Sequence, residues 1–197
     1  GSKTLTTKAR NYGLALRNDA CVVTNGKLNH AGTVAAIKVW DAKEISNLEI
    51  DVTGTSASGN TIDGIVIQEN AAGVDTVKNV KIHSTAGQGV AVGIKTYKCG
   101  NASENVIGTM EKVSIDAKNA GMFISAPCGT ASNCTIKGGT TGIELALEGT
   151  YTATLSLEGC DVKGGTQALY IHDEGKGYDY IGLIKLDADD NSTFASK

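Results

Sequence analysis

One short pattern recurs along the chain and restricts its fold more than any other property. An apolar residue is followed by a spacer, often Asn or Gly, and then by two apolar positions separated by one polar residue. It reads Val23-Thr24-Asn25-Gly26-Lys27-Leu28, Ile45-Ser46-Asn47-Leu48-Glu49-Ile50, Val77-Lys78-Asn79-Val80-Lys81-Ile82 and Met110-Glu111-Lys112-Val113-Ser114-Ile115. Ala131-Ser132-Asn133-Cys134-Thr135-Ile136 and Leu157-Glu158-Gly159-Cys160-Asp161-Val162 continue it, and Ile181-Gly182-Leu183-Ile184-Lys185-Leu186 is a last copy with one residue inserted. A second pattern, a small residue and then apolar–x–apolar, follows each of the first six copies, as in Gly64-Ile65-Val66-Ile67 and Gly142-Ile143-Glu144-Leu145. The gap from Leu28 to Ile37, Ile115 to Ile124, Ile136 to Leu145 and Val162 to Ile171 is nine residues each time.

Alternation at period two places every second side chain on one face of a β-strand. The repeat length varies from 21 residues (115 to 136) to 33 (82 to 115), so turns absorb insertions while strands do not. A repeat that cannot bury its own apolar face must stack on its neighbours. The pattern therefore predicts an all-β fold, a right-handed parallel β-helix of about seven coils, roughly 34 Å long at the usual strand spacing. A leucine-rich repeat is the nearest rival, but its consensus leucines and helical segment are missing. Leu28, Ile50, Ile82, Ile115, Ile136, Val162 and Leu186 are predicted to form one buried stack.

Composition agrees and excludes other classes. Twenty-five glycines and a single proline suit many tight turns between short strands, and 41% hydrophobic residues suffice for a core. The net charge is −3 and the two arginines, Arg10 and Arg17, lie near the start, so the basic face of a nucleic-acid binder is missing. No apolar run approaches the ~20 residues that span a bilayer, which argues against membrane insertion. Residues 1–9 read as a tail headed by a cloning scar, Gly1-Ser2, residues 10–190 as one β-helix domain and 191–197 as a C-terminal tail.

The chain resembles the pectin-lyase-like superfamily of right-handed parallel β-helices over roughly residues 10–190. In that family each coil has three strands, and a tight turn between the second and third often carries a stacked asparagine. Asn25, Asn47, Asn79 and Asn133 match that position, Gly159 and Gly182 occupy it in two other coils, and Lys112 departs from it. The resemblance is one of architecture and implies no enzyme subfamily. It implies that the Gly-apolar-x-apolar segments are first strands, whose outward face carries the groove in the family's enzymes. That face is predicted as a column Ala15, Ala36, Val66, Gly93, Phe123, Glu144, Tyr170. A parallel column runs Arg17, Lys38, Gln68, Lys95, Ser125, Ala146, His172. The clustered acids of a polysaccharide lyase or polygalacturonase are missing, since Glu144 is the only acid in these columns.

Three other groupings carry chemistry. Asp51, His83 and Asp116 each follow the last inward residue of a third strand, so the imidazole is predicted to stack between two carboxylates. Inverting glycosidases hold their carboxyls roughly 6.5–9.5 Å apart, close to two rung spacings. A solvated polar ladder, continued by Asn29, Lys137, Lys163 and Asp187, is the plainer reading. Asp187, Asp189 and Asp190 could offer oxygens to calcium, but their spacing fits no EF-hand loop and a polar chain end explains them. No other cofactor is implied. Cys134 is predicted beside Cys160 and Cys99 beside Cys128, with Cys21 alone; adjacent rungs allow either a disulfide or buried thiols.

The functional expectation is a non-catalytic binding or adhesion module of a larger bacterial or phage surface protein. It would be extracellular or at the cell surface, touch glycans or a protein partner, and have flanking domains that cap its open ends. Its binding face is Phe123, Glu144, Tyr170, His172 and Lys95. A polysaccharide lyase or glycoside hydrolase using Asp51, His83, Asp116 and Glu144 is the alternative, and a structural spacer the third reading.

Overall fold

The computed structural model describes residues 3–8, 11–54, 62–85, 89–97, 105–147, 152–173 and 184–196. Among them all regular structure is β: one sheet of 18 parallel strands with no helix, wrapping about 308° round an axis in a solenoid-like manner. No helix among the described residues is long and apolar enough to cross a membrane.

The strands fall into three series, each paired in parallel, rung upon rung. In the first series Leu14, Ile37, Ile65, Ile94, Met122, Ile143 and Leu169 lie side by side. In the second, Val23, Ile45, Val77, Met110, Ala131, Leu157 and Ala188 do so. The third aligns Leu5, Leu28, Ile50, Ile82, Ile115, Ile136, Val162 and Phe194. The middle members of all three series are buried and form one continuous apolar core, stabilised at roughly 25 cal/mol per Å² removed from water.

The stack predicted from the sequence holds from Leu28 to Val162 and fails at its last member. Leu186 pairs with Leu155 in the second series, and Phe194 takes the place beside Val162. Both residues satisfy the repeat length, being 24 and 32 positions beyond Val162, so spacing alone could not choose between them. The pairing also runs past residues 10–190 on both sides, through the strands Lys3–Thr7 and Thr193–Ser196.

The turn column is as the repeat predicts. Asn25, Asn47, Asn79, Lys112, Asn133 and Gly159 all have left-handed backbones, with φ between 49° and 62°. Asn47 Nδ2 donates to Asn25 Oδ1 (3.3 Å) and Asn79 Nδ2 to Asn47 Oδ1 (3.0 Å), so the amides form a ladder. Gly182 lies outside the described residues.

A column of small residues explains the start of the second pattern and fixes the register of the first strands. A Cβ on Gly93 would lie 2.2 Å from Ile115 Cγ2, and one on Gly121 would lie 2.6 Å from Ile136 Cγ2. The third strand thus presses its branched residues against the first strand of its own coil, where only hydrogen fits. Ala36 and Gly93 belong to this column and not to the outward one. The outward column instead runs Ala15, Lys38, Val66, Lys95, Phe123, Glu144, Tyr170.

Cys134 and Cys160 are buried neighbours, as predicted, and both are thiols. Cys134 Sγ donates to Ser132 O and Cys160 Sγ to Ala131 O. The hydrogen bond with Cys160, reinforced by burial, holds the Cys134 thiol far above its usual range. Cys99, and with it the expected contact to Cys128, lies outside the described residues.

Candidate functional site

Among the described residues, the outward face of the first series gathers most of the aromatic side chains. Phe123, Glu144 and Tyr170 occupy successive rungs, as the alternation predicts. The two rings therefore stand two rungs apart, about 9.6 Å along the axis. Tyr170 is 42% exposed. Two residues further on, His172 turns back onto this column. Its ring stacks on Tyr170 with centroids 4.6 Å apart and planes 18° apart, and its Nε2 lies 2.8 Å from Glu144 Oε1. Glu144 and His172 come from neighbouring strands, so the pair is a cross-rung contact that fixes both side chains.

Lys95 lies in the same column as Phe123, two residues from the predicted register, which sets it beside Ser125. Its ammonium sits 5.2 Å from the Phe123 ring and 4.8 Å from the Tyr97 ring. The same motif recurs toward the N-terminus. Lys38 Nζ donates to Tyr12 OH (2.8 Å) and lies over the Tyr12 and Trp40 rings, while the Arg17 guanidinium covers Trp40 at 4.3 Å. Tyr12 and Trp40 meet edge to face. Each such contact is attractive because the ring face is electron-rich. Sequence reasoning missed Tyr12, Trp40 and Tyr97. The signal was there for Trp40, which follows Lys38 by two and so shares its face once the small-residue column sets the register.

Beneath this face Asp63 is buried at the start of its strand. Desolvation pushes its carboxyl up to about 6, against the opposing pull of the Lys95 charge and the hydrogen bond from Val92 N–H.

The second grouping also lands on adjacent rungs, with Asp51 beside His83 and the Ile82–Ile115 pairing carrying His83 next to Asp116. The partners differ from the expected carboxylate–imidazole–carboxylate stack. His83 Nε2 lies 2.9 Å from Glu49 Oε1, which also accepts from Lys27 Nζ at 2.9 Å. Asp51 is buried and accepts from both Thr85 N and Thr85 Oγ1, with Lys27 at 3.5 Å. Burial raises its pKa, but the Thr85 hydroxyl and amide, with the charges of His83 and Lys27, outweigh that and hold the carboxyl below its ordinary value. Glu49 is likewise lowered, by its hydrogen bonds from Lys27 and then His83. Asp116 is solvated and paired with Lys137 at 3.1 Å. A depression of about 590 Å³ opens here, lined by Lys81, His83, Thr85, Ser114, Asp116 and Lys118 among others. Asp51 and Glu49, both held below their ordinary values, favour the charged form, so neither is suited to hold the proton that a general acid needs.

Asp187, Asp189 and Asp190 do not converge. Asp187 pairs with Lys185 at 2.8 Å, and Asp189 accepts from Gly159 N and Ser192 Oγ, tying the last turn to the one below. No group of three or more metal-ligating His, Cys, Asp or Glu side chains occurs among the described residues. Comparison with protein-family models, with curated proteins and with solved structures gives no match for this chain.

Proposed function

We propose that this chain is a non-catalytic glycan-binding module, a right-handed parallel β-helix of about seven coils with pectin-lyase-like architecture. It would work at the cell surface or outside it, as part of a larger bacterial or phage surface protein. The observation that carries the reading is the Phe123–Glu144–Tyr170 column. Two rings spaced along one face, Tyr170 exposed and Phe123 half-buried, can pack on the apolar faces of sugars, while the Glu144–His172 pair and Lys95 offer hydrogen bonds to hydroxyls. A glycan array on the intact chain tests it. For a glycan found there, Phe123→Ala and Tyr170→Ala should each weaken binding about tenfold, as truncating an aromatic anchor worth more than about 1 kcal/mol does. Unchanged affinity in both folded variants would remove this face. The enzymatic alternative rests on one specific contact, the 2.8 Å approach of Glu144 to His172, which could orient the imidazole as a base. Product release from acidic polysaccharides that is lost in His172→Ala would favour it over binding alone.

A further inference from the structure

Lysines on the outer faces of the second and third series are mostly neutralised by carboxylates. Lys27 meets Glu49, Lys78 meets Glu111, Lys137 meets Asp116 and Lys163 meets Asp161. The first-series face departs from this rule. No ion pair among the described residues involves Arg17, Lys38 or Lys95. Each is held over an aromatic ring instead. A ring face pins a cation without cancelling its charge; the buried Asp63, which feels the Lys95 charge, offsets part of it there, and the face as a whole presents fixed positive charge to a ligand.

The spacing of those charges is informative. Lys38 and Lys95 share one column with Val66 between them, which separates them by two rungs, about 9.6 Å. Val66 is 4% exposed and uncharged. An extended pyranose residue rises by close to one rung spacing, so cations on alternate rungs match acidic groups on alternate sugars. Glu144 continues the column beyond Phe123 and disfavours a further acid there.

We infer that the face selects an acidic polysaccharide of alternating charged and neutral sugars, its carboxylates seated at Lys38 and Lys95 and its neutral sugars over the intervening and following rungs, at Val66 and Phe123. This rests on the glycan-binding reading and adds the ligand's charge pattern to it.

The chain's single tryptophan, Trp40, belongs to this row, so its fluorescence reports occupancy. The full chain is titrated with unsulfated chondroitin (a uronate on every second sugar), with polygalacturonate (a uronate on every sugar) and with neutral dextran of matched length. Chondroitin should bind tightest, at least fivefold over polygalacturonate, and lose affinity steeply with salt. Lys38→Gln and Lys95→Gln, with folding checked by circular dichroism, should each weaken it roughly five- to tenfold, as for charge-assisted contacts. Equal or tighter binding of polygalacturonate, or lysine variants that bind chondroitin like the wild type, would overturn the inference. Binding of dextran alone, lost in Phe123→Ala, would overturn it too but leave the glycan-binding reading standing. No binding to any of the three or to the array would remove both.

Discussion

Lys112 holds a left-handed backbone, φ 54°, that its neighbours in the turn column leave to Asn and Gly. The conformation costs an ordinary side chain roughly 1–2 kcal/mol, and Asn tolerates it better. Lys112→Asn should therefore raise stability by about 1 kcal/mol in urea denaturation. The Lys112 ammonium contacts Glu111 at 3.1 Å, but that exposed pair contributes little, so its loss should not reverse the sign. Asp63 gives a second residue-scale prediction. Its folded pKa, about 6, lies above the ordinary 3.8, so the native state binds more protons than the unfolded chain between those values. Stability should fall as pH rises from about 4 to about 6, by at most about 3 kcal/mol. His30, which burial holds below its usual pKa, works in the opposite sense, losing stability as pH drops below the unfolded value. Comparing wild type with Asp63→Asn across this range isolates the acid: the variant should lack the decline. Parallel curves for the two proteins would show that Asp63 is not the titrating group.

At the scale of single strands, the close approach of the third series to the first makes the small-residue column the least tolerant part of the fold. A branched side chain at Gly121 would meet Ile136 Cγ2 and the Gly142 carbonyl, each within 2.7 Å of its first carbon. Gly121→Val should cost several kcal/mol, as overpacking in a rigid interior does, and thermal unfolding would show it. Gly89, whose nearest neighbour would be 3.5 Å away, is the steric control, although its φ of 87° adds backbone strain of its own. The same column shows what sequence could and could not supply. Ile115 and Ile136 were placed on neighbouring rungs because period two and constant gaps survive insertions in turns. Ala36 and Gly93 read equally well as outward or as crowded, since a small residue suits both, and at Gly93 the crowding comes from Ile115, 22 positions further along the chain. The Leu186 error has a similar origin, since two alternating segments near the C-terminus both satisfy the repeat.

Across the whole molecule the legible part is the part that repeats. Phe123, Glu144 and Tyr170 were placed on one face from alternation alone, and they are neighbours. The aromatic clamps on Arg17 and Lys38, and the choice of Glu49 over Asp116 as partner of His83, depend on side-chain directions that no period encodes. The repetition that made the core readable also makes its rungs nearly interchangeable. Ile50, Ile82, Ile115 and Ile136 would stack almost as well if one coil were skipped, so the interior cannot tell the chain which rung comes next. The outer charges can. Skipping one coil would set Lys27 against Lys81 in place of Glu49, the partner it meets now. Like charges directly opposite cost what opposite charges gain, about 0.2–1 kcal/mol a pair. Surface ion pairs that add little to stability thus act as an address system, spelling out coil order to a folding chain whose core is written in a single letter.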